Sequence, residues 1–145
     1  MKSEPDVFGI AELERKLTAP WDGVRNYTAR NFMRAMALGD HVLFYHSNAA
    51  PNGIAGLAEV AHTAYPDHTS WDSASDYFDP KSGPENPRWS MVDVRFVRTF
   101  PRLLTLEAMR GVPELAGMLI FYNTRLSVTP VATPCYDLIL RLAAG

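Results

Sequence analysis

Aromatic, amide and arginine side chains lie close together in segment 20–27, which reads PWDGVRNY. The segment leads into a stripe of apolar residues at helical spacing, so these side chains stand at the entrance of a helix. The first amides of a helix, with the positive end of its dipole, attract anions. Arg30 and Arg34 follow four residues apart, a spacing at which like charges repel. An acidic side chain of segment 67–85 or a nucleic-acid phosphate would compensate them, and the sequence leaves both open.

Two further clusters place hydrogen-bonding side chains at the ends of apolar segments. Segment 45–48, YHSN, ends an apolar run, and on a strand Tyr45 and Ser47 would share one face. Near the C-terminus, Arg125 and Ser127 interrupt an apolar stretch in the same way. Strand ends open into loops, where binding groups collect, so both clusters are candidate binding sites. The alternative is that they are satisfied core polar groups and turn residues.

Motifs for cofactors, metals and nucleophilic catalysis are absent from the sequence. It has no Gly-x-x-x-x-Gly-Lys phosphate loop and no Gly-x-Gly-x-x-Gly fingerprint. The four histidines lack His-Glu-x-x-His spacing, and one cysteine makes no zinc cluster. His46 and Ser47 are neighbours, so on a strand they point to opposite faces. We therefore expect no cofactor, no metal ion and no catalytic residue.

The composition is typical of one folded domain spanning residues 1–145. Hydrophobic residues make up 47% of the chain and the formal charge is −2, which excludes a disordered tail. No apolar run approaches the ~20 residues of a membrane span. The start is no signal peptide, and the single cysteine, Cys135, fits a reducing compartment, so we expect a cytoplasmic protein. The isoelectric point near 6.0 argues against a strongly electrostatic duplex binder, although basic segments 15–34 and 88–110 flank an acidic one.

Hydrophobic periodicity predicts strands and short helices in irregular order. The second helix would begin at Asn26 or Thr28 as cap, and Met91 would face outward from the last long strand. A mostly antiparallel barrel or curled sheet with helices outside is favoured over a parallel βαβ fold, because regular helices do not separate the strands. The predicted elements are helices over 10–16, 28–36 and 105–110 and a last helix capped by Thr133; strands over 41–47, 54–63, 88–100 and 126–131; and a long loop over 64–87.

The sequence blocks resemble a known family over nearly the whole chain. That family is the EVE domain family, and segment 115–124 departs from it by being more apolar than expected. The resemblance implies an α+β fold of the PUA-like group, a small mostly antiparallel β-barrel with short peripheral helices. The blocks that carry it are MKSEP (1–5), WDGVRNY (21–27), ARN (29–31), VLFYHSN (42–48), GIAGLAEV (53–60), YPD (65–67), YFDPKS (77–82), PENPRW (84–89), VDVRF (92–96) and RLSV (125–128).

The resemblance also implies a binding module related to YTH readers of methylated adenine. EVE domains are thought to recognise modified bases, chiefly modified cytosine in DNA, so the expected partner is modified DNA or RNA. Arg25, Arg30, Arg34 and Arg125 would hold phosphates. The corresponding base pocket would be lined by Ser3, Glu4, Trp21, Val24, Asn26, Tyr27, Tyr45, His46, Ser47, Asn48 and Ser127.

The implied mechanism needs a base that is flipped out or single-stranded, because the pairing edge is unreadable inside a duplex. Trp21 would form one apolar wall and Tyr45 a second wall or hydroxyl partner. Val24 would pack beside an added methyl group, and the base edge would be read by Asn26, Ser47 and Ser3.

Three alternatives stay open. An RNA-binding module of the same fold is one. A second is an amidohydrolase acting on a modified nucleoside, with Lys2 and Glu4 as base and nucleophile activator. The third is a protein-interaction adaptor that uses the loop at 64–87.

Overall fold

The computed structural model describes residues 1–144 and contains one mixed five-stranded sheet. The strand order is β1–β3–β4–β5–β2; β1 runs parallel to β3, and the other neighbours are antiparallel. The strands are β1 (Lys2–Ser3), β2 (Thr18–Pro20), β3 (His41–His46), β4 (Gly53–Pro66) and β5 (Ser90–Thr105). The helices are α1 (Pro5–Phe8), α2 (Ile10–Lys16), α3 (Tyr27–Arg34), α4 (Leu106–Arg110) and α5 (Thr133–Ala144), with 3₁₀ turns at His68–Trp71, Pro113–Leu115 and Leu119–Phe121.

The expected α+β class with a mostly antiparallel sheet is confirmed, but the sheet is not a closed barrel. Within residues 1–144, β1 and β2 lie at opposite edges and no strand pairing joins them. The predicted strand over 126–131 is wrong, because that segment contributes a single backbone hydrogen bond, from Lys2 N to Ser127 O at 2.8 Å, to the outer edge of β1.

The local predictions hold best where capping or strong periodicity marks an element. Helix α2 occupies the predicted range, and α3 is capped by Asn26, whose Oδ1 accepts from Ala29 N at 3.0 Å. Strand β4 is longer than predicted and takes in residues 64–66 of the expected loop. Met91, predicted to face outward, is buried, so both faces of β5 are covered at that point.

The core consists of two clusters, and alternation along β3 separates them. Val42 and Phe44 belong to the first cluster, with Trp21, whereas Leu43 and Tyr45 belong to the second. Successive side chains of a strand point to opposite faces, so this strand is covered on both faces, as predicted. Helix α5 packs on the second cluster through residues such as Ile139 and Ala143.

Two negative findings concern the described residues alone. None of the helices in residues 1–144 is long and apolar enough to cross a membrane. Nor does this part of the chain group three or more His, Cys, Asp or Glu side chains so that they could hold a metal ion.

Candidate functional site

A cleft of about 640 Å³ opens at the parallel edge of the sheet, where β1 and α1 meet the loop that enters α3. This volume falls within the roughly 300–1,000 Å³ of small-molecule sites. Its lining comes from four separate parts of the chain: Lys2, Ser3, Glu4, Val7 and Phe8; Pro20, Trp21, Asp22, Gly23, Val24, Arg25 and Asn26; Tyr77; and Arg125 and Ser127.

Trp21 forms an apolar wall of the cleft and is also part of the core. Its indole packs edge-on against Phe8, with ring centres 6.4 Å apart, and against Phe44, at 5.3 Å. Only 8% of the residue is exposed. The ring is therefore fixed by packing before any ligand arrives.

Asp67 holds the loop of residues 21–26 in place from behind. Its carboxylate is fully buried; Oδ2 accepts from Gly23 N and Arg25 Nη1, both at 2.9 Å, and Oδ1 accepts from the backbone and hydroxyl of Thr69. Burial by itself would raise the pKa of Asp67, but hydrogen bonds from Thr69, Gly23 and Arg25 outweigh it and hold the pKa below 3.8. Among the ion pairs of residues 1–144, the pair of Arg25 and Asp67 is the only one in which the carboxylate side chain has no solvent exposure.

Gly23 and Tyr77 close the cleft on the side of the long loop. Gly23 has φ +78°, and a Cβ at this position would lie 2.7 Å from the Tyr77 ring. Only glycine tolerates both the left-handed conformation and this close approach. Arg25 Nε donates to Tyr77 O at 2.9 Å and its guanidinium lies 5.8 Å from the ring centre.

Beside the cleft, aromatic rings and arginines form a layered surface. The rings of Tyr27 and Trp89 stack 4.7 Å apart, and the Arg30 guanidinium lies 4.7 Å from the centre of the Tyr27 ring. Arg30 Nη1 donates to Arg88 O at 2.8 Å, and Arg34 Nε donates to Ser90 Oγ at 3.0 Å. We call Tyr27, Arg30, Arg34, Arg88 and Trp89 the arginine–aromatic face.

No carboxylate forms an ion pair with the arginines of this face. Among residues 1–144, Arg30, Arg34 and Arg88 have no Asp or Glu oxygen within 4.0 Å. Backbone and hydroxyl oxygens satisfy part of their donors, and no acidic side chain of segment 67–85 forms an ion pair with Arg30 or Arg34. Asp79 of that segment accepts a hydrogen bond from Trp89, which lowers the pKa of Asp79, and the charge of Arg88 adds to this effect. Burial and the charge of Arg34 lower the pKa of Arg30, which is the expected effect of two nearby cations.

The cleft gathers about half of the predicted base-pocket residues. Those that line it are Ser3, Glu4, Trp21, Val24, Asn26 and Ser127, together with Arg25 and Arg125 from the predicted phosphate set. Those that do not line it are Tyr27, which lies on the arginine–aromatic face, and Tyr45, His46, Ser47 and Asn48.

Most polar side chains of the cleft already have one partner inside the domain. Ser3 Oγ donates to Phe8 O at 2.7 Å, and Asn26 Oδ1 caps α3. Glu4 Oε1 accepts from Asn48 Nδ2 at 2.6 Å. A ligand would therefore meet what remains free, namely the two N–H donors of Asn26, the lone pairs of Ser3 and the hydroxyl of Ser127.

The positions of Tyr45 and His46 differ from the prediction that both line the base pocket. Tyr45 lies in the second core cluster, on the other face of β3 from Trp21, so the two rings do not form opposite walls of one cleft. His46 Nε2 accepts from Ile10 N at 3.2 Å, so the neutral imidazole carries its proton on Nδ1. Burial lowers the pKa of His46, and this effect exceeds that of the Glu12 charge, which raises it. Ser47 joins β1 through its backbone, donating to Ser3 O at 2.9 Å.

Arg25 and Arg125 differ although both line the cleft. Arg25 donates to Asp67, Thr69, Val24 O and Tyr77 O, so its donors are used within the domain and a phosphate role is not supported. Arg125 is exposed and makes no hydrogen bond or ion pair with residues 1–144, which leaves its guanidinium available.

The sequence analysis missed Tyr77, Phe8, Asp67 and Arg88. Asp67, Tyr77 and Arg88 stand within blocks that carry the family resemblance, but nothing in those blocks indicates that they lie beside segment 20–27. The one usable signal was Gly23, since a glycine inside an aromatic–polar block indicates a close approach by another group.

The fold and site define a small α+β domain with a ligand-sized cleft at the parallel edge of a mixed sheet. The family model of the EVE domain matches residues 1–142, and the chain belongs to the EVE domain family. The resemblance found in the sequence is thereby confirmed.

Several relatives are similar over almost the whole chain. Thymocyte nuclear protein 1 of Homo sapiens is 42% identical over 161 residues, which cover 98% of this chain and 72% of that protein. A solved structure of a hypothetical protein from Leishmania major matches with a TM-score of 0.96 at 52% identity, covering 99% of this chain and 91% of that one. A structure of human THYN1 protein in complex with 5-methylcytosine-containing DNA matches with a TM-score of 0.96 at 42% identity, covering 100% and 96%.

Proposed function

We propose that this domain binds nucleic acid that carries a modified base, in the first place modified cytosine in DNA, and holds that base in the cleft. The observation that carries the proposal is the match to human THYN1 protein in complex with 5-methylcytosine-containing DNA. The cleft supports it, because its volume of about 640 Å³ and its mixed apolar and polar lining suit a single base.

The base would enter the cleft flipped out of the duplex or from a single strand. Trp21 and Val24 both line the cleft. Trp21 would provide an apolar wall, and Val24 would contact a substituent on the base. Burying one methyl group gains about 0.8 kcal/mol at most, so the apolar contact alone gives only modest discrimination. Donors of Asn26 and the hydroxyls of Ser3 and Ser127 would read the edge of the base.

Phosphates would be held on two sides of the base. Arg125 and Lys2 lie at one side of the cleft, and the arginine–aromatic face, with Arg30, Arg34 and Arg88, lies beside it. Guanidinium groups suit phosphate oxygens because their paired N–H donors match two acceptors. These contacts position the nucleic acid but carry no sequence information.

We propose binding rather than catalysis. The carboxylate of Glu4 is engaged by Asn48, and Lys2 Nζ lies 3.4 Å from Thr124 O, so neither group is held by the other. A reader leaves its ligand intact. Incubation with a modified oligonucleotide followed by mass analysis of the nucleosides should return the modification unchanged; a deacylated or deaminated product would show an enzyme instead.

We also propose that the domain acts in the cytoplasm. Free Cys135 is compatible with a reducing, cytoplasmic environment.

The substitution Asn26→Asp tests the cleft sharply. Aspartate caps a helix as well as asparagine, so α3 keeps its hydrogen bond to Ala29 N, but the two N–H donors are replaced by a carboxylate. We expect binding of a 5-methylcytosine oligonucleotide to weaken about tenfold or more, as loss of a buried hydrogen bond allows.

Asn52→Asp is the matched control. Asn52 also uses Oδ1 to accept a backbone N–H, from Ala49 at 2.7 Å, and it does not line the cleft. The same charge change there should leave affinity nearly unaltered. Equal affinity of the two variants for the oligonucleotide would contradict binding of the base in this cleft. Equal affinity of the wild type for oligonucleotides with cytosine, 5-methylcytosine or thymine at one position would contradict recognition of the modification. The same sequences as RNA decide between the two nucleic acids.

A further inference from the structure

A second cavity adjoins β1 and β3, and its lining takes residues from both core clusters. Its volume is about 440 Å³, again within the range of small-molecule sites. It is lined chiefly by apolar side chains, and Lys2 and Ser127 line both this cavity and the cleft. The apolar lining includes Phe32, Met36, Leu43, Ile54, Met118 and Ile120.

Tyr45 brings to this cavity a hydroxyl that has no hydrogen-bond partner within residues 1–144. The residue is only 5% exposed, yet its hydroxyl makes no hydrogen bond with any of residues 1–144. Buried tyrosine hydroxyls normally have a partner, and every fully enclosed side-chain N or O atom of the described residues has one. The Tyr45 hydroxyl is therefore within reach of a molecule in the cavity that it lines.

Positive charge accompanies this hydroxyl. Lys2 Nζ lies 5.9 Å from the centre of the Tyr45 ring, and its one hydrogen bond is a long contact of 3.4 Å with Thr124 O. Burial lowers the pKa of Lys2 and raises that of Tyr45, and the charge of Arg110 also acts on Tyr45. Tyr45 therefore remains a neutral donor, and an anion beside it would meet the ammonium of Lys2.

Two further pairs of polar groups in the lining have partners, whereas the hydroxyls of Ser127, Thr129 and Thr133, which also line the cavity, make no side-chain hydrogen bond within residues 1–144. His41 Nδ1 and the Tyr136 hydroxyl are hydrogen-bonded at 2.5 Å, and Asp40 Oδ2 accepts from Ala37 N at 2.9 Å. The hydroxyl of Tyr45 and the ammonium of Lys2 thus place two donors, one of them charged, at one end of the cavity. The apolar wall opposite includes Met118 and Ile120, from the segment that is more apolar than the family resemblance leads one to expect.

We propose that this cavity is a second ligand site, which takes a small amphiphile with a carboxylate head and an apolar chain. The carboxylate accepts hydrogen bonds from the Tyr45 hydroxyl and the Lys2 ammonium. The chain lies against Met36, Met118 and Ile120, where water would otherwise contact apolar surface. This proposal does not rest on the nucleic-acid function proposed for the cleft, although Lys2 and Ser127 line both.

Methionine methyl groups give a direct test on the whole chain. Met1, Met36 and Met118 line the cavity, whereas Met33, Met91 and Met109 are buried elsewhere. Titration with octanoate, followed by ¹³C-methyl NMR, should produce saturable shifts of the first three methyls and leave the other three nearly unchanged. Octanol, which has the same chain without the charge, should bind more weakly.

Tyr45→Phe removes the hydroxyl and keeps the ring in the core. We expect it to weaken octanoate binding about tenfold and octanol binding little, with nucleic-acid binding unchanged. Lys2→Met provides a second variant and should likewise weaken octanoate more than octanol. Shifts spread over all six methyls, no saturation, or equal octanoate affinity in wild type and Tyr45→Phe would each overturn the proposal.

Discussion

The cleft and the second cavity share Lys2 and Ser127 in their linings, yet their polar groups differ. In the cleft, Ser3, Asn26 and Arg25 already donate or accept within the domain before a ligand binds. In the cavity, Tyr45 is buried without a hydrogen bond, and the rest of the lining is mainly apolar. The difference shows that the polar groups of the cleft are held in place by the domain itself, whereas the Tyr45 hydroxyl of the cavity has no partner within residues 1–144.

The largest expected effect is a loss of unfolding free energy on substitution of a residue of the cleft wall. Trp21→Ala removes a ring that packs against Phe8 and Phe44, so the loss should reach about 3–5 kcal/mol of unfolding free energy. Urea denaturation measures it. A loss below about 1 kcal/mol would show that the indole is a ligand platform and not a core residue.

Asp67→Asn tests whether the preorganisation depends on one carboxylate. Removing the charge that Arg25 faces should cost about 3 kcal/mol at neutral pH. Because the folded pKa of Asp67 lies below its reference value of 3.8, its stabilisation is present above that pH and is lost as the pH falls further.

Unfolding free energies measured between pH 2 and pH 7 should therefore fall less steeply in Asp67→Asn than in the wild type at the acidic end. Parallel curves would contradict the assignment of this network to Asp67.

Alanine substitutions at two glycines distinguish the effect of backbone strain from the effect of a changed cleft shape. Gly23 and Gly39 both have positive φ, but an added Cβ meets the Tyr77 ring at Gly23 and nothing within 4 Å at Gly39. Alanine at either position should cost about 1–2 kcal/mol for the left-handed conformation. Only Gly23→Ala should also reduce oligonucleotide affinity, and a reduction by Gly39→Ala of the same size would rule out the Tyr77 contact as its cause.

The smallest expected effect concerns the arginine–aromatic face. If Arg30 contacts a phosphate, Arg30→Ala should reduce the slope of log affinity against log salt by about 0.7–0.9. Arg95→Ala changes the charge equally, but Arg95 is paired with Glu59 in the sheet, so its slope should match the wild type. Identical slopes for both variants would remove Arg30 from the phosphate contacts.

Local structure followed from the sequence wherever neighbouring residues determine it. The cap of α3, the range of α2 and the burial of β3 on both faces depend on side-chain types within a few residues. The last two were predicted, and the cap was one of two predicted alternatives, Asn26 and Thr28. The ends of β4 and β5 were not, because strand length depends on the partner strand and its bulges.

The site shows the same division. The sequence by itself determined the family and the blocks that carry Ser3, Trp21 and Asn26, because those residues stand in contiguous motifs. Only the tertiary structure decided that Tyr45 faces a different cavity and that Tyr77 closes the cleft. The reason is physical: a strand alternates its side chains between two faces, and which face meets which helix or loop depends on contacts distant in the chain.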